Sequence, residues 1–154
     1  MTALQDLYPD NFSHCYGCGR LNTHGLHVKT HWEDGEGVAR FQPAPYHLAL
    51  PGFVYGGLVA SLIDCHAIAT AAGAAMVAGG ATPGLNETPR FVTASLQVDY
   101  LRPTPIGPEL VLRARPVHTG SRAITVEVRV MAGEVETARG RVVAVAAPES
   151  MLVR

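Results

Sequence analysis

The run from Gly56 to Ala75, GGLVASLIDCHAIATAAGAA, is almost unbroken Ala, Leu, Ile, Val and Gly. A helix formed here carries apolar residues on nearly every face and must be wrapped by other structure. Its length of about 20 residues would also span a bilayer. Asp64 and His66 sit at its centre, however, and each would cost several kcal/mol in lipid. The run therefore reads as the buried helix of a protein core, not a membrane segment. Inside that sleeve the carboxylate of Asp64 is costly unless something uses or satisfies it, and the pair Gly56-Gly57 lies eight and seven residues before it. The start of the helix and the acid are the first place to look for chemistry.

A chain of 154 residues fits one domain with a substantial core. Lys plus Arg number 12 and Asp plus Glu 13, so no net field favours nucleic acid or an anionic membrane surface. The N-terminus MTALQDLYPDNFSHC lacks a basic segment followed by an apolar one, and three cysteines leave at least one unpaired. The expectation is a cytoplasmic protein.

Residues 1–25 are rich in turn formers and read as an irregular cap with room only for a short helix near Thr2 to Leu7; residues 26–154 read as the single domain. Within the cap, Cys15-Tyr-Gly-Cys18 invites a metal or redox reading. A structural zinc usually takes a second closely spaced pair of ligands, and a thioredoxin-type pair sits between a strand and a helix. Neither context is visible, so a turn with small buried thiols and no metal is expected. From Leu26 to Trp32 apolar and polar residues alternate as in a half-buried strand. The turn Asp34-Gly35-Glu36-Gly37 and the stretch Val38 to Phe41 complete a hairpin. After the helix, Phe91–Leu101, Glu109–Val117, Arg122–Met131 and Val135–Ala147 read as strands. In Ala123 to Val130 the residues Ile124, Val126, Val128 and Val130 alternate with Thr125, Glu127 and Arg129, giving one face to a core. A hairpin, one long helix and a meander imply an α+β domain in which a curved antiparallel sheet wraps the helix.

That order, with the motifs along it, resembles the hot-dog fold, and the residues around Tyr55 resemble the acyl-CoA thioesterases of phenylacetate-pathway type. The resemblance is carried by a Cys-aromatic-Gly-Cys-Gly opening, Asn22-x-x-Gly25-Leu26, His47, Pro51-Gly52, Gly56-Gly57, Leu62-x-Asp64, Thr93-x-x-Leu96-x-Val98-x-Tyr100-Leu-Arg-Pro103 and Gly120-Ser-Arg122. In those proteins a His-Gly-Gly motif is followed by Asp or Glu nine residues after the His, the spacing from Tyr55 to Asp64 here. The resemblance implies that the Gly56 amide polarises a thioester carbonyl and that Asp64 is nucleophile or general base, with Thr93 orienting water. It further implies that His47, Tyr55 and Gly57 border the substrate and that Arg102 and Arg122 meet the coenzyme A phosphates. Coenzyme A would then be part of the substrate, with no other cofactor required. The residue chemistry agrees: a helix N-terminus offers unpaired N–H groups and partial positive charge to an oxyanion. A thiolate leaves without a strong acid, so one carboxylate suffices.

Two positions depart from the pattern: the motif His is Tyr55, and Ala49 stands where some relatives carry Asn or Gln. They support a rival reading, a catalytically weak hot-dog protein that binds acyl-CoA or another apolar ligand. A hydratase is disfavoured because no Asp-x-Asn-Pro-x-x-His-like segment occurs. Tyr16 and Trp32 are candidate pocket residues, and His66, two residues beyond the acid, points away from it. Finally, Gly56 and Asp64 are eight residues apart, about 12 Å along a helix at 1.5 Å per residue, too far for one carbonyl to touch both. A single site using both requires two chains, hence a homodimer with composite sites, or a tetramer of two such dimers.

Overall fold

The apolar run becomes one helix, α1, Gly56–Ala78, entered from an extended Tyr55 (φ −59°, ψ 128°). The computed structural model describes residues 1–152; the last two residues of the domain expected over 26–154 lie outside the described residues. Six strands surround α1: β1 Thr30–Glu33, β2 Glu36–Phe41, β3 Phe91–Tyr100, β4 Leu110–Thr119, β5 Ala123–Ala132 and β6 Val135–Ala146. They form a single antiparallel sheet in the order β1-β2-β4-β5-β6-β3, the hot-dog architecture expected from the order of elements.

The sheet departs from a plain meander after the helix. The side of β4 that would receive β3 is occupied by β2, so β3 crosses to the far edge and pairs only with β6. Within β3 the ladder skips Ala94: Thr93 faces Ala144, and Ser95 faces Val143. This bulge changes parity, so Phe91 and Thr93 before it and Leu96, Val98 and Tyr100 after it all lie on the helix side. The first strand is also shorter than the alternation suggested. His27 adopts a positive φ of 55°, and the N–H groups of Leu26 and Val28 bond to the carbonyls of Tyr16 and Gly17. Alternation from Leu26 to Val28 thus records burial against the cap, and regular pairing begins only at Thr30. The hairpin turn is the two-residue Asp34-Gly35 with both φ positive, at 49° and 85°, the geometry that matches strand twist.

Burial of α1 explains its lack of polarity. Leu58, Val59, Leu62, Ile63, Ala67 and Ala71 pack against Leu112, Val126, Val128, Val130, Val142 and Ala144 in one core. Helix and sheet approach closely because position 140 has no side chain: a Cβ there would stand 2.3 Å from Cγ2 of Ile63. By length and hydropathy α1 could cross a membrane, but in this fold 72% of its most apolar window is buried. The cap covers the other flank. It holds two short 3-10 turns, Leu4–Leu7 and Asp10–Phe12, and Leu4 joins Ala69 and Met76 in a second cluster with Trp32 against it. A buried polar thread ties the cap to the helix. The amide nitrogen of Gln5 donates to Thr30 Oγ1 (2.9 Å), whose hydroxyl is 2.8 Å from Nδ1 of His66. With the Thr30 proton directed to Nδ1, His66 is a neutral core residue, and burial pushes its pKa down to about 4. It points away from Asp64, as its spacing predicts.

Candidate active site

Asp64 lies on the third turn of α1, half-buried. Thr93 Oγ1, on the helix side of β3, donates to its carboxylate at 2.5 Å. Burial raises the Asp64 pKa, and the Thr93 hydrogen bond partly opposes that shift. The acid is therefore poised nearer neutrality than an ordinary carboxylate, with one oxygen held and the other free to act. Asp64 and Thr93 share a cavity of about 290 Å³ with Cys15, Cys18, Cys65, Ile68 and Arg90.

The helix start opens into a different cavity, of about 180 Å³, lined by Tyr16, Tyr46, His47, Tyr55, Gly57 and Ser61 among others. The carbonyl of Tyr55 accepts the N–H groups of Leu58 and Val59. Among the described residues no carbonyl or side chain accepts the N–H of Gly56 or Gly57. Two amides are thus available at the positive end of the helix. A Cβ at Gly57 would stand 2.4 Å from the Tyr55 ring, which would have to shift, and one at Gly56 would make ordinary contact with the Tyr100 ring at 3.4 Å. The Tyr100 hydroxyl donates to the Gly56 carbonyl at 2.7 Å, fixing the first turn to the end of β3. His47 accepts the Ala44 N–H on Nδ1 at 2.9 Å, and its own carbonyl receives the Tyr55 N–H at 2.9 Å. It both shapes the approach to the helix and faces the cavity.

The predicted residues therefore fall into two groups. Asp64 and Thr93 meet; His47, Tyr55 and Gly57 meet, with Gly56 beside them; the two groups do not share a cavity. The arginines divide in the same way. Arg102 follows β3 and bonds through its N–H to the carbonyl of Thr137. Arg122 precedes β5, next to Ala123, which pairs with Val145. Thr137 and Val145 are eight residues apart on β6, roughly 26 Å at strand rise, so the two guanidiniums of one chain cannot hold one phosphate group. Of the pocket candidates Tyr16 lines the helix-start cavity, whereas Trp32 packs over Gly73, where a Cβ would stand 2.6 Å away.

Sequence reasoning missed Arg90, Cys65 and Tyr100 as site residues. Cys65 adjoins the acid in sequence, which is a usable signal. Arg90 is brought to the cavity by the loop after α1, and no periodicity marks it.

Residues 51–139 match the sequence profile of the Thioesterase superfamily. The chain is 42% identical to a thioesterase superfamily protein of Shewanella loihica, whose crystal structure superposes with a TM-score of 0.69 over 90% of this chain and 98% of that one. It is 37% identical over 78 residues to acyl-coenzyme A thioesterase THEM4 of Xenopus laevis; the match spans 51% of this chain but only 29% of that protein's length. The fold is shared with the E. coli PaaI protein of the phenylacetic acid degradation operon, at 17% identity and a TM-score of 0.65, covering 80% of this chain and 81% of that one. By its profile and its fold, this chain belongs to the thioesterase superfamily.

Proposed function

We propose that the protein hydrolyses the thioester of an acyl- or aryl-coenzyme A, in sites shared between two chains. The observation that carries this reading is the division of one helix into two half-sites. The free amide of Gly57, with that of Gly56 beside it, borders one cavity, and the Asp64–Thr93 pair borders another, about 12 Å further along α1. Each half lacks what the other has.

In the proposed dimer the helices run antiparallel across a two-fold axis, so the Gly56 end of one chain faces the third turn of the other. The thioester oxygen is held at the Gly56 and Gly57 amides, where negative charge grows as the carbonyl is attacked. Asp64 from the second chain either attacks the carbonyl carbon or takes a proton from an attacking water, Thr93 keeping its carboxylate in place. The carbon–sulfur bond breaks, and the thiolate leaves without an acid. Two features support the pairing. β3 is a sheet edge, and on its helix side Leu96 and Tyr100 are 40% and 54% exposed. An uncovered edge strand with exposed apolar side chains is suited to continuing the sheet into a second copy. An antiparallel pairing also brings Arg102 of one chain and Arg122 of the other to the same end of a composite site, where both can meet coenzyme A phosphates.

Tyr55 favours a second reading. Its ring lies against Gly57 at the position of the motif His, which suits a protein that holds acyl-coenzyme A and turns it over slowly. A panel of acyl- and aryl-coenzyme A substrates, assayed for free thiol and for binding, separates the two. For the hydrolase, Asp64→Asn lowers turnover at least about a thousand-fold while binding changes little, because the amide keeps the shape and the Thr93 bond but cannot attack or accept a proton. Binding without turnover in the parent protein establishes the second reading instead.

A further inference from the structure

The expectation of a metal-free turn at Cys15 and Cys18 rested on the missing second pair of ligands. The fold supplies a third thiol from the helix. The Sγ atoms of Cys15, Cys18 and Cys65 all lie within 4.8 Å of one another, and Cys15 Sγ is 3.8 Å from Cys65 Sγ. Thiolates around a tetrahedral zinc, with Zn–S about 2.3 Å, are separated by about 3.8 Å. A disulfide needs about 2.05 Å.

The loop is built for such a group. A Cβ at Gly17 would stand 2.2 Å from Cys65 Sγ, and one at Gly19 would be 2.4 Å from the Cys15 nitrogen. Only glycine lets the Cys-x-x-Cys turn close on the helix thiol. The turn is held by the Gly19 N–H bonding to the Cys15 carbonyl (2.8 Å), and the Val28 N–H bonds to the Gly17 carbonyl (3.0 Å). Arg90 lines the same cavity and offsets the single net negative charge that three thiolates and a divalent ion would carry.

We propose that Cys15, Cys18 and Cys65 hold a tetrahedral Zn²⁺ ion whose fourth position is filled by solvent from the Asp64 cavity. Three protein thiolates leave one position open, and the cavity of about 290 Å³ beside them has room for water. The ion ties the cap to the third turn of α1, one residue from Asp64. It is thus a positioning element for the acid, and its existence does not depend on the substrate or on hydrolysis.

The test uses the full chain and reads the metal directly. Protein from zinc-supplemented cells, purified without chelators, should carry about one Zn²⁺ per chain. After chelation, Co²⁺ titration of the wild type should produce the thiolate charge-transfer band and the intense visible bands of tetrahedral cobalt, and Zn²⁺ should abolish both. Zn²⁺ should also shield all three thiols from an alkylating reagent. Cys65→Ser should weaken Co²⁺ binding at least tenfold and remove roughly a third of the charge-transfer intensity, one of three sulfurs being lost. If that variant does not fold, the wild-type spectrum and thiol protection still decide. A wild type that shows no thiolate-to-cobalt band, or three thiols alkylated equally with and without Zn²⁺, overturns the proposal. So does a Cys15–Cys65 disulfide in protein purified without oxygen.

Discussion

At the scale of single residues, the site turns on how burial and one hydroxyl divide control of Asp64. Burial raises its pKa and the Thr93 bond lowers it, so removing the hydroxyl should raise it further. If ionised Asp64 is the working form, activity is lost as pH falls through its pKa. Thr93→Val should therefore move the acid limb of the kcat/KM profile to higher pH while leaving the fold intact, since Thr93 is an exposed strand residue and valine suits strands. An acid limb that stays in place would remove Thr93 from any role beside Asp64. His66 shows the opposite outcome for a polar residue on the same helix: fully buried and bonded to Thr30, it serves the core.

At the scale of elements, the distance between α1 and the sheet sets where Asp64 stands relative to β3. Gly140 on β6 permits the close approach, since a Cβ there would stand 2.3 Å from Cγ2 of Ile63. Gly140→Ala should lower stability by about 1–3 kcal/mol in chemical denaturation, the usual cost of overpacking a core. The penalty should shrink in an Ile63→Ala background, where the clashing methyl is gone; an undiminished penalty would place its origin elsewhere. The bulge at Ala94 belongs to the same scale. Without its change of parity, either Thr93 or Leu96 and Tyr100 would face away from α1, and the strand could not serve both the acid and the first turn of the helix.

At the scale of the whole molecule, the proposed composite site makes a dimer experiment decisive. Gly56→Pro removes the first free amide while suiting helix position N1, and the extended Tyr55 before it (φ −59°, ψ 128°) already has the backbone that precedes proline. Asp64→Asn removes the proposed base. Each homodimer should be inactive, whereas a heterodimer of the two should recover one intact site and about half the wild-type activity per dimer. Heterodimers as inactive as their parents would place the whole site in one chain.

The sequence by itself determined the helix and the one-sided strands, and it singled out Asp64 as the carboxylate to look at first. These follow from local periodicity, from the cost of a carboxylate in an apolar run, and from the resemblance to the thioesterase motif, which places an acid nine residues after the position of Tyr55. The fixed rise of a helix also made the separation of Gly56 from Asp64 legible before any coordinates. Only the tertiary structure decided which strand borders the acid, since β3 reaches the helix by crossing to the far edge of the sheet. Only it brought Cys65 to Cys15 and Cys18, and Arg90 to the same cavity. The reason is physical: periodicity reports which face of an element is buried, whereas contacts between residues 50 positions apart depend on how loops close and elements pack.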